Sequence, residues 1–300
     1  MTDSTFEAVA CVTSTRDPDL CEDDRILLAA LRARGIEPAI LPWDDPTADW
    51  SSFALVVVVS PWDYPDRSPE FLKWYEQVSA ATTIANSVAA VHGNHHKGYL
   101  AKLAEAGAPV VPTVVVRDPA EARAVAERRG WSEGVVKPVT ALGGRGVALL
   151  SSVRTTHFGE APGTGEWCLQ PFLRSIRTEG ELSVVCIDGR LSHALVKRPP
   201  EGDIRVHEGY GGTHEPHPLT PELREVAQAV IDAADCRDEL YARVDLIRAD
   251  DGRLQLIELD LTSPCLFFCH RPEAADDFAD AVVRRITHHS QTRVGGKKDD

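Results

Sequence analysis

The sequence predicts a mixed α/β (α+β) protein in three parts. These are an N-terminal doubly wound domain over residues 1–88, a linker helix with a small lid over 89–171, and a C-terminal subdomain over 172–289, followed by a disordered tail over 290–300. Three observations predict it. Apolar strand patterns alternate with helix patterns over the first 88 residues, as in parallel strands covered by helices. A short apolar run at 133–137 ends in Lys137 and leads into Gly143, Gly144 and Gly146. Residues 241–260 read as a β-hairpin about Asp251-Gly252, a dipeptide suited to turns with positive φ.

Residues 7–13 and 54–59 read as buried parallel strands. Between them Asp23 or Asp24 caps a helix whose apolar face is Ile26, Leu27, Leu28 and Leu31, and which stops at Gly35. Ser68-Pro69 starts a second helix. Open α/β sheets bind ligands beyond the carboxyl ends of their strands. Residues 13–17 and 60–64 are therefore expected to border a crevice, with Trp62, Asp63 and Tyr64 offering stacking and charge to a small amino-acid-like ligand. The charge of Asp63 suits an α-ammonium; a plain turn cap is the competing reading. A helix is expected over 94–106 and a strand over 111–116. Asp118-Pro119-Ala120-Glu121 combines a cap, a proline in the first turn and a glutamate three residues on, which starts a helix ending at Gly130. Strands at 133–137 and 146–150 flank the glycine-rich turn, 154–165 is a polar loop, and 166–171 is a returning strand. The C-terminal part is expected to hold antiparallel strands, a helix over 221–234, the hairpin and a helix over 272–286. Residues 288–300 are polar and expected to be disordered.

The hairpin carries the chemistry. A two-residue turn at Asp251-Gly252 pairs residues whose numbers sum to 503, so Asp245 faces Glu258 and Arg243 faces Asp260. Side chains alternate along a strand, which puts Asp245, Glu258 and Asp260 on one face. Opposed Cβ atoms lie about 4.5–5.5 Å apart. The apolar neighbours Val244, Leu246, Leu256, Ile257 and Leu259 argue for burial rather than an exposed acidic face. Carboxylates this close repel, so a cation is expected among them, and three oxygen donors on rigid strands suit Mg²⁺. On this reading, replacing Glu258 by glutamine relieves repulsion in the metal-free protein. The turn after Lys137 lets backbone N–H groups approach phosphate oxygens, and the lysine adds a point charge. No GK[ST] follows the glycines and no G-x-G-x-x-G is present, which excludes a Walker A loop and a dinucleotide fingerprint.

The chain has 46 acidic and 32 basic residues and a net charge of −14, so neither nucleic acid nor an anionic membrane is expected as a partner. No apolar run approaches the roughly 18 residues of a membrane span. No basic segment followed by an apolar core opens the chain, so no signal peptide is expected. Seven cysteines, odd in number and scattered, read as reduced residues of a cytoplasmic protein. Cys265, Cys269 and His270 lack a second ligand pair at zinc-finger spacing. The oligomeric state is not legible, a homodimer included.

Over most of the chain these motifs resemble the ATP-grasp superfamily in its glutathione-synthetase-like branch. Asn86 and Asn94-His95-His96-Lys97 resemble the stretch carrying the first nucleotide lysine on a helix. Val136-Lys137-Pro138 with Gly143, Gly144 and Gly146 resembles the second lysine and a phosphate-covering loop. Gln170-Pro171-Phe172 resembles the hinge that holds adenine through backbone groups. Lys197, Arg205 and the pair Gly211-Gly212 resemble the phosphate-side basic residues and the second glycine pair. Asp245, Glu258 and Asp260 fall on the metal positions, followed by Thr262-Ser263-Pro264. Asp260 stands where the family often has asparagine, which adds a negative charge.

The resemblance implies an ATP-grasp fold with a mobile lid and a metal-binding C-terminal subdomain. It implies ATP and Mg²⁺ as cofactors, and a small amino-acid substrate activated as an acyl-phosphate. ATP would meet Lys97, Lys137, the glycine loop, the hinge and Glu181. Arg205 and Lys197 would be catalytic. Trp62, Asp63, Tyr64, Gly211, Gly212, Thr262 and Ser263 would line the substrate. Cys21-Glu22-Asp23-Asp24, the stretch 60–64 and the stretch 94–100 further resemble the D-cycloserine synthetases, cyclo-ligases acting on O-ureido-D-serine. An intermolecular ligase of the same fold, a non-catalytic nucleotide-binding module and a two-metal phosphoester hydrolase stay open at this point.

Overall fold

A computed structural model describes residues 8–16, 18–153, 158 and 165–295, with side chains as far as residue 287. The N-terminal part alternates strand and helix as expected: β1 (Val9–Thr13), α1 (Glu22–Ala33), β2 (Ala39–Pro42), β3 (Leu55–Val58), α2 (Ser68–Ala81) and β4 (Thr83–Ala85). The sheet order is β2-β1-β3-β4 and every pair is parallel. Strand β3 is buried throughout, which explains its unbroken apolar run. The cap of α1 differs from expectation. Cys21 is the N-cap: its thiol accepts from the Asp24 N–H at 3.4 Å, while the Asp24 carboxylate accepts from the Cys21 N–H at 3.1 Å. This is a reciprocal capping box in which Asp24 occupies the third helical position.

The helix expected over 94–106 is two short helices, α3 (Val88–Asn94) and α4 (Tyr99–Glu105). Between them His96 Nδ1 accepts from the Gly98 N–H at 3.0 Å and the Lys97 N–H donates to Val139 O at 2.9 Å. These bonds compete with helical ones, so Lys97 sits on a turn rather than on a helix. The lid follows as β5 (Val114–Val116), α5 (Pro119–Arg129), β6 (Gly134–Pro138), β7 (Ala148–Leu149) and β8 (Trp167–Pro171), in sheet order β5-β8-β6-β7. Helix α5 starts as read: Asp118 accepts from the N–H groups of Ala120 and Glu121, at 2.9 and 2.8 Å. The expected loop at 154–165 falls almost wholly outside the described residues.

The C-terminal part holds α6 (Ser175–Thr178), β9 (Glu181–Ile187), β10 (Arg190–Arg198), β11 (Thr213–His217), α7 (Pro221–Ala233), β12 (Tyr241–Arg248), β13 (Leu254–Asp260) and α8 (Glu273–Gly295). Its antiparallel sheet runs β11-β10-β9-β12-β13. Helix α8 continues nine residues beyond the expected end at 286, to Gly295, because no glycine or proline interrupts 287–294. The expected disorder over 288–295 is therefore corrected to helix, and 296–300 lies outside the described residues. One sheet face packs against α7 through Val184, Val244, Leu246, Leu259, Leu223 and Ile231. The other shares a core with α1, α8 and the N-terminal sheet through Val185, Ile187, Leu195, Leu31, Val57 and Phe278. Each such buried aliphatic or aromatic side chain stabilises by about 1.5–3 kcal/mol, so this joint outweighs any exposed ion pair. Asn86 fastens it further: its buried amide donates to Tyr241 O and Leu261 O, at 2.8 and 2.7 Å, and accepts from the Leu240 N–H at 2.9 Å.

Candidate active site

The acidic hairpin pairs as expected at its working end and differently at its turn. Ala249 donates to Arg253 O at 2.8 Å and accepts from the Gly252 N–H at 2.9 Å, which leaves Asp250-Asp251-Gly252 as a three-residue loop. Gly252 has φ 86°, as the last position of such a loop requires. Beyond the turn Arg248 faces Leu254 and Leu246 faces Leu256; a bulge at Ile257 then restores the pairs Asp245–Glu258 and Arg243–Asp260. Two one-residue offsets cancel. The bulge is written in the sequence: the core-facing leucines change phase, from Leu254 and Leu256 to Leu259 and Leu261.

Each carboxylate on this face meets a cation of the chain. Lys97 Nζ lies 3.0 Å from Glu258 Oε1 and Lys137 Nζ lies 3.9 Å from Oε2. Their remaining N–H groups donate to Ala141 O at 2.9 Å and Ile257 O at 3.2 Å. Arg243 lies 3.0 Å from Asp245 and 3.6 Å from Asp260, and Lys197 lies 3.3 Å from Asp245 and closer still to Glu181. Ser183 Oγ donates to Asp245. Burial opposes ionisation of Asp245 and Glu258. Arg243 and Lys197 nevertheless hold the Asp245 carboxyl well below the usual range, and Lys97 and Lys137 lower that of Glu258. Burial raises Asp260, with Glu258 adding to it against the pull of Arg243. Four cations (Lys97, Lys137, Lys197, Arg243) face four acids (Glu181, Asp245, Glu258, Asp260), so the formal charge here sums to zero. Among the described residues no three His, Cys, Asp or Glu side chains are gathered closely enough to hold a metal ion. The expected trio shares a face but is spread among its counter-ions. Its oxygen donors fit a hard divalent cation, and Asp260, incompletely neutralised, fits best.

The lid brings its glycines over this face. A Cβ on Gly143 would stand 3.3 Å from His207 Nε2, and one on Gly144 3.5 Å from Tyr210. Gly146 is obligatory: φ is 76° and a Cβ would meet the Pro138 ring at 2.7 Å. Arg205 is held by Asp203 through contacts of 2.6 to 3.1 Å and stacks 3.6 Å above the Tyr210 ring. The ion pair foreseen as its bland alternative thus exists, alongside its place beneath the loop. Gly211 (φ 84°) and Gly212 close this segment on itself; a Cβ on Gly212 would strike Val206 O at 2.1 Å. At the hinge, Gln170 is buried and donates to Thr113 Oγ1 at 2.9 Å, Pro171 pairs with Gly134, and the Phe172 N–H is taken by Glu133 O at 3.0 Å. The Phe172 N–H is thus not free for a ligand.

On the N-terminal side Trp62 lines a small cavity with Asp23, Asp24, Val59, Tyr241 and Cys265. Tyr64 is buried and stacks on Phe71 at 4.8 Å; burial raises its pKa, and the Asp260 carboxylate adds to the rise. Asp63 does not present a free carboxylate. Trp43 Nε1 donates to Oδ1 at 2.9 Å, and Arg67 and Arg16 lie 3.3 and 3.8 Å from Oδ2. Two buried polar atoms near this crevice lack a partner among the described residues, Ser263 Oγ and His95 Nδ1. Burial and Lys97 push the His95 pKa down to about 4. Sequence reading gave no role to His95, Asp66, Arg145 or His207, because their meeting depends on segments far apart in the chain.

An N-terminal parallel sheet, a small second sheet and an antiparallel sheet with two lysines converging on a hairpin carboxylate together define an ATP-grasp ligase, an enzyme class that uses ATP. Residues 100–269 match the family model described as prokaryotic glutathione synthetase, ATP-grasp domain, and residues 9–86 match that of D-cycloserine synthetase DcsG, N-terminal domain. The cycloserine biosynthesis protein DcsG of Streptomyces lavendulae is 32% identical over 296 residues, covering 93% of this chain and 98% of that one. The crystal structure of D-cycloserine synthetase DcsG superposes with TM-score 0.82 at 30% identity, over 93% of this chain and 99% of that one. An ATP-grasp ligase, PsnB, complexed with a phosphomimetic variant of a minimal precursor, Mg and ADP, shares the fold, with TM-score 0.65 at 19% identity over 94% of this chain and 99% of that one. The chain belongs to the ATP-grasp family, in the branch of the prokaryotic glutathione synthetases and D-cycloserine synthetases. It is a carbon–nitrogen bond-forming ligase acting on a small molecule. No helix among the described residues is long and apolar enough to cross a membrane.

Proposed function

We propose that this enzyme closes O-ureido-D-serine to D-cycloserine at the expense of ATP. One observation carries the reading: the ATP-grasp site is joined to a substrate-side domain of the D-cycloserine synthetase type over residues 9–86. A carboxylate is a poor acyl donor, and transfer of the γ-phosphoryl group supplies a leaving group. The nitrogen bound to oxygen within the same substrate then attacks the acyl carbon, phosphate departs, and the carbamoyl group is lost with water as CO₂ and ammonia. Lys97 and Lys137 would hold the nucleotide phosphates, and Glu258, Asp260 and Asp245 would offer oxygen donors to Mg²⁺. Mg²⁺ would neutralise and orient the phosphates. Lys197 and Arg205 offset charge developing on the transferred group. Tyr64, Thr262 and Ser263 line the amino-acid substrate, and Trp62 its far wall. Asp63, engaged by Trp43 and two arginines, positions this turn. The glycine loop with Arg205, His207 and Tyr210 excludes water that would hydrolyse the acyl-phosphate. The free thiols of all seven cysteines fit a reducing, cytoplasmic setting. Antibiotic biosynthesis is the corresponding role.

The match of residues 100–269 to glutathione synthetase favours a second reading, an intermolecular carboxylate–amine ligase. Incubation with Mg-ATP and a panel of small amino acids, with and without added amines, decides between them. ADP release and an isoxazolidinone product from O-ureido-D-serine alone are expected. ADP release that depends on a second amine would overturn cyclisation.

A further inference from the structure

We propose that Arg145 and Asp66 latch the phosphate-covering loop to the substrate-side domain, so that loop closure and the seating of that domain are one event. The proposal rests on reading 143–146 as a cover for the nucleotide phosphates. Arg145 Nη1 lies 3.0 Å from Asp66 Oδ2, and Nη2 makes a second, shorter contact with Oδ1, a two-pronged pair across 79 residues of chain. Leu142, three residues earlier, packs against the N-terminal core that contains Trp43, Tyr64 and Phe71. The glycines between them lie against His207, Arg205 and Tyr210 of the C-terminal subdomain. The four-residue stretch 142–145 therefore touches both sides of the cleft.

Asp66 is well placed to report on the substrate side. It belongs to a 3-10 turn, Tyr64–Arg67, that is fixed independently of the loop. Arg67 binds Asp44 at 2.5 Å, Glu70 at 2.8 Å and Asp63 at 3.3 Å, and stacks 4.3 Å above the Trp43 ring. The same turn sends Tyr64 inward, its ring 6.0 Å from that of His95 and near enough to Asp260, at the exit of the acidic hairpin, for that carboxylate to add to the rise that burial causes in its pKa. A rigid turn thus has the lid on one side and the carboxylate face on the other. Both partners of the latch are half-exposed, at 49% and 41% of the side chain, so the pair can open and close and is screened by salt. An exposed pair of this kind shifts an open–closed equilibrium about two- to fivefold. Arg145 and Asp66 are positioning residues: they act on the reaction through the loop.

Hydrogen–deuterium exchange over residues 142–147 with Mg²⁺ and a non-hydrolysable ATP analogue tests this without knowledge of the amino-acid substrate. The analogue is expected to protect the wild-type loop. Asp66→Ala and Arg145→Ala should each exchange about two- to fivefold faster in its presence. The charge-swapped double variant, Asp66→Arg with Arg145→Asp, should recover wild-type protection, and 0.5 M NaCl should bring the wild type toward the single variants. Unchanged protection in both single variants overturns the latch. So does a swap that fails to recover, which would place Arg145 on the phosphates themselves. If the analogue leaves even the wild-type loop unprotected, the cover reading fails and the latch falls with it.

Discussion

Glu258 faces Asp245 across the strand pair, yet its energetics are set by Lys97 and Lys137. Replacement by glutamine leaves two largely buried ammonium groups short of a counter-charge. Relief of carboxylate repulsion, expected from the hairpin alone, is therefore the smaller effect. Glu258→Gln should lower the stability of the ligand-free protein by about 1–3 kcal/mol, below the full loss for a buried pair because Glu258 is partly exposed. It should also nearly abolish ATP turnover at saturating Mg²⁺. Urea unfolding with a turnover assay checks both, and an unchanged or higher midpoint would return the argument to repulsion. Lys137 is buried near the end of β6, whereas Lys73 is exposed on α2. Lys137→Ala should weaken binding of an ATP analogue at least tenfold, about 1.4 kcal/mol, and Lys73→Ala should leave it unchanged. Calorimetric titration of the two variants measures the contrast.

At the scale of elements, the bulge in β13 decides which way the acids point. Removal of one residue flips every later side chain of a strand to the opposite face. Deleting Leu259 should therefore turn Asp260 toward the core of α7 and drive Leu261 into the site. Loss of soluble, cooperatively folding protein is the expected outcome. Deletion of Ile257 instead removes the unpaired residue of the bulge, leaves the pairs Leu246–Leu256 and Asp245–Glu258 next to one another and should be far milder. Comparing the thermal transitions of the two deletions tests this, and equal outcomes would mean that Ile257 is not the extra residue of the strand. Helix elements show the same dependence on few residues. Hydrogen bonds around His96-Lys97-Gly98 break one expected helix in two, and the lack of a breaker before Gly295 lengthens another.

For the whole molecule, the N-terminal domain and the C-terminal sheet share one core, so the crevice between them is a built cleft. The linker crossing it carries His95, whose pKa falls from 6.5 to about 4 through burial and the neighbouring Lys97. A depressed pKa means that the unfolded chain takes up the proton first. The stability tied to neutral His95 is complete above pH 6.5 and lost progressively as pH falls toward 4. His95→Gln should flatten the fall in Tm across that window while leaving Tm near pH 8 little changed. A series of melting curves from pH 8 to 4 measures it, and parallel curves for both proteins would remove His95 from the acid limb.

Local signals determined much of this protein. Alternating β and α patterns placed the parallel sheet, and Asp118-Pro119 placed α5. The ordered lysine, glycine and carboxylate motifs placed both halves of the ATP-grasp fold, because each depends on neighbours within a few residues. The face shared by Asp245, Glu258 and Asp260 was legible for the same reason, although the loop is one residue longer than expected and an unforeseen bulge cancels the offset. Tertiary structure alone decided the partners. Asp63 carried a charge that suited a ligand, but Trp43, Arg16 and Arg67 claim it. Glu258 was read against Asp245, but Lys97, distant by 161 residues, reaches it first. Arg145 and Asp66 carried no signal at all. A charge in a sequence is only a demand for a counter-charge, and the fold decides which of many candidates lies within about 4 Å, where the interaction outweighs solvent.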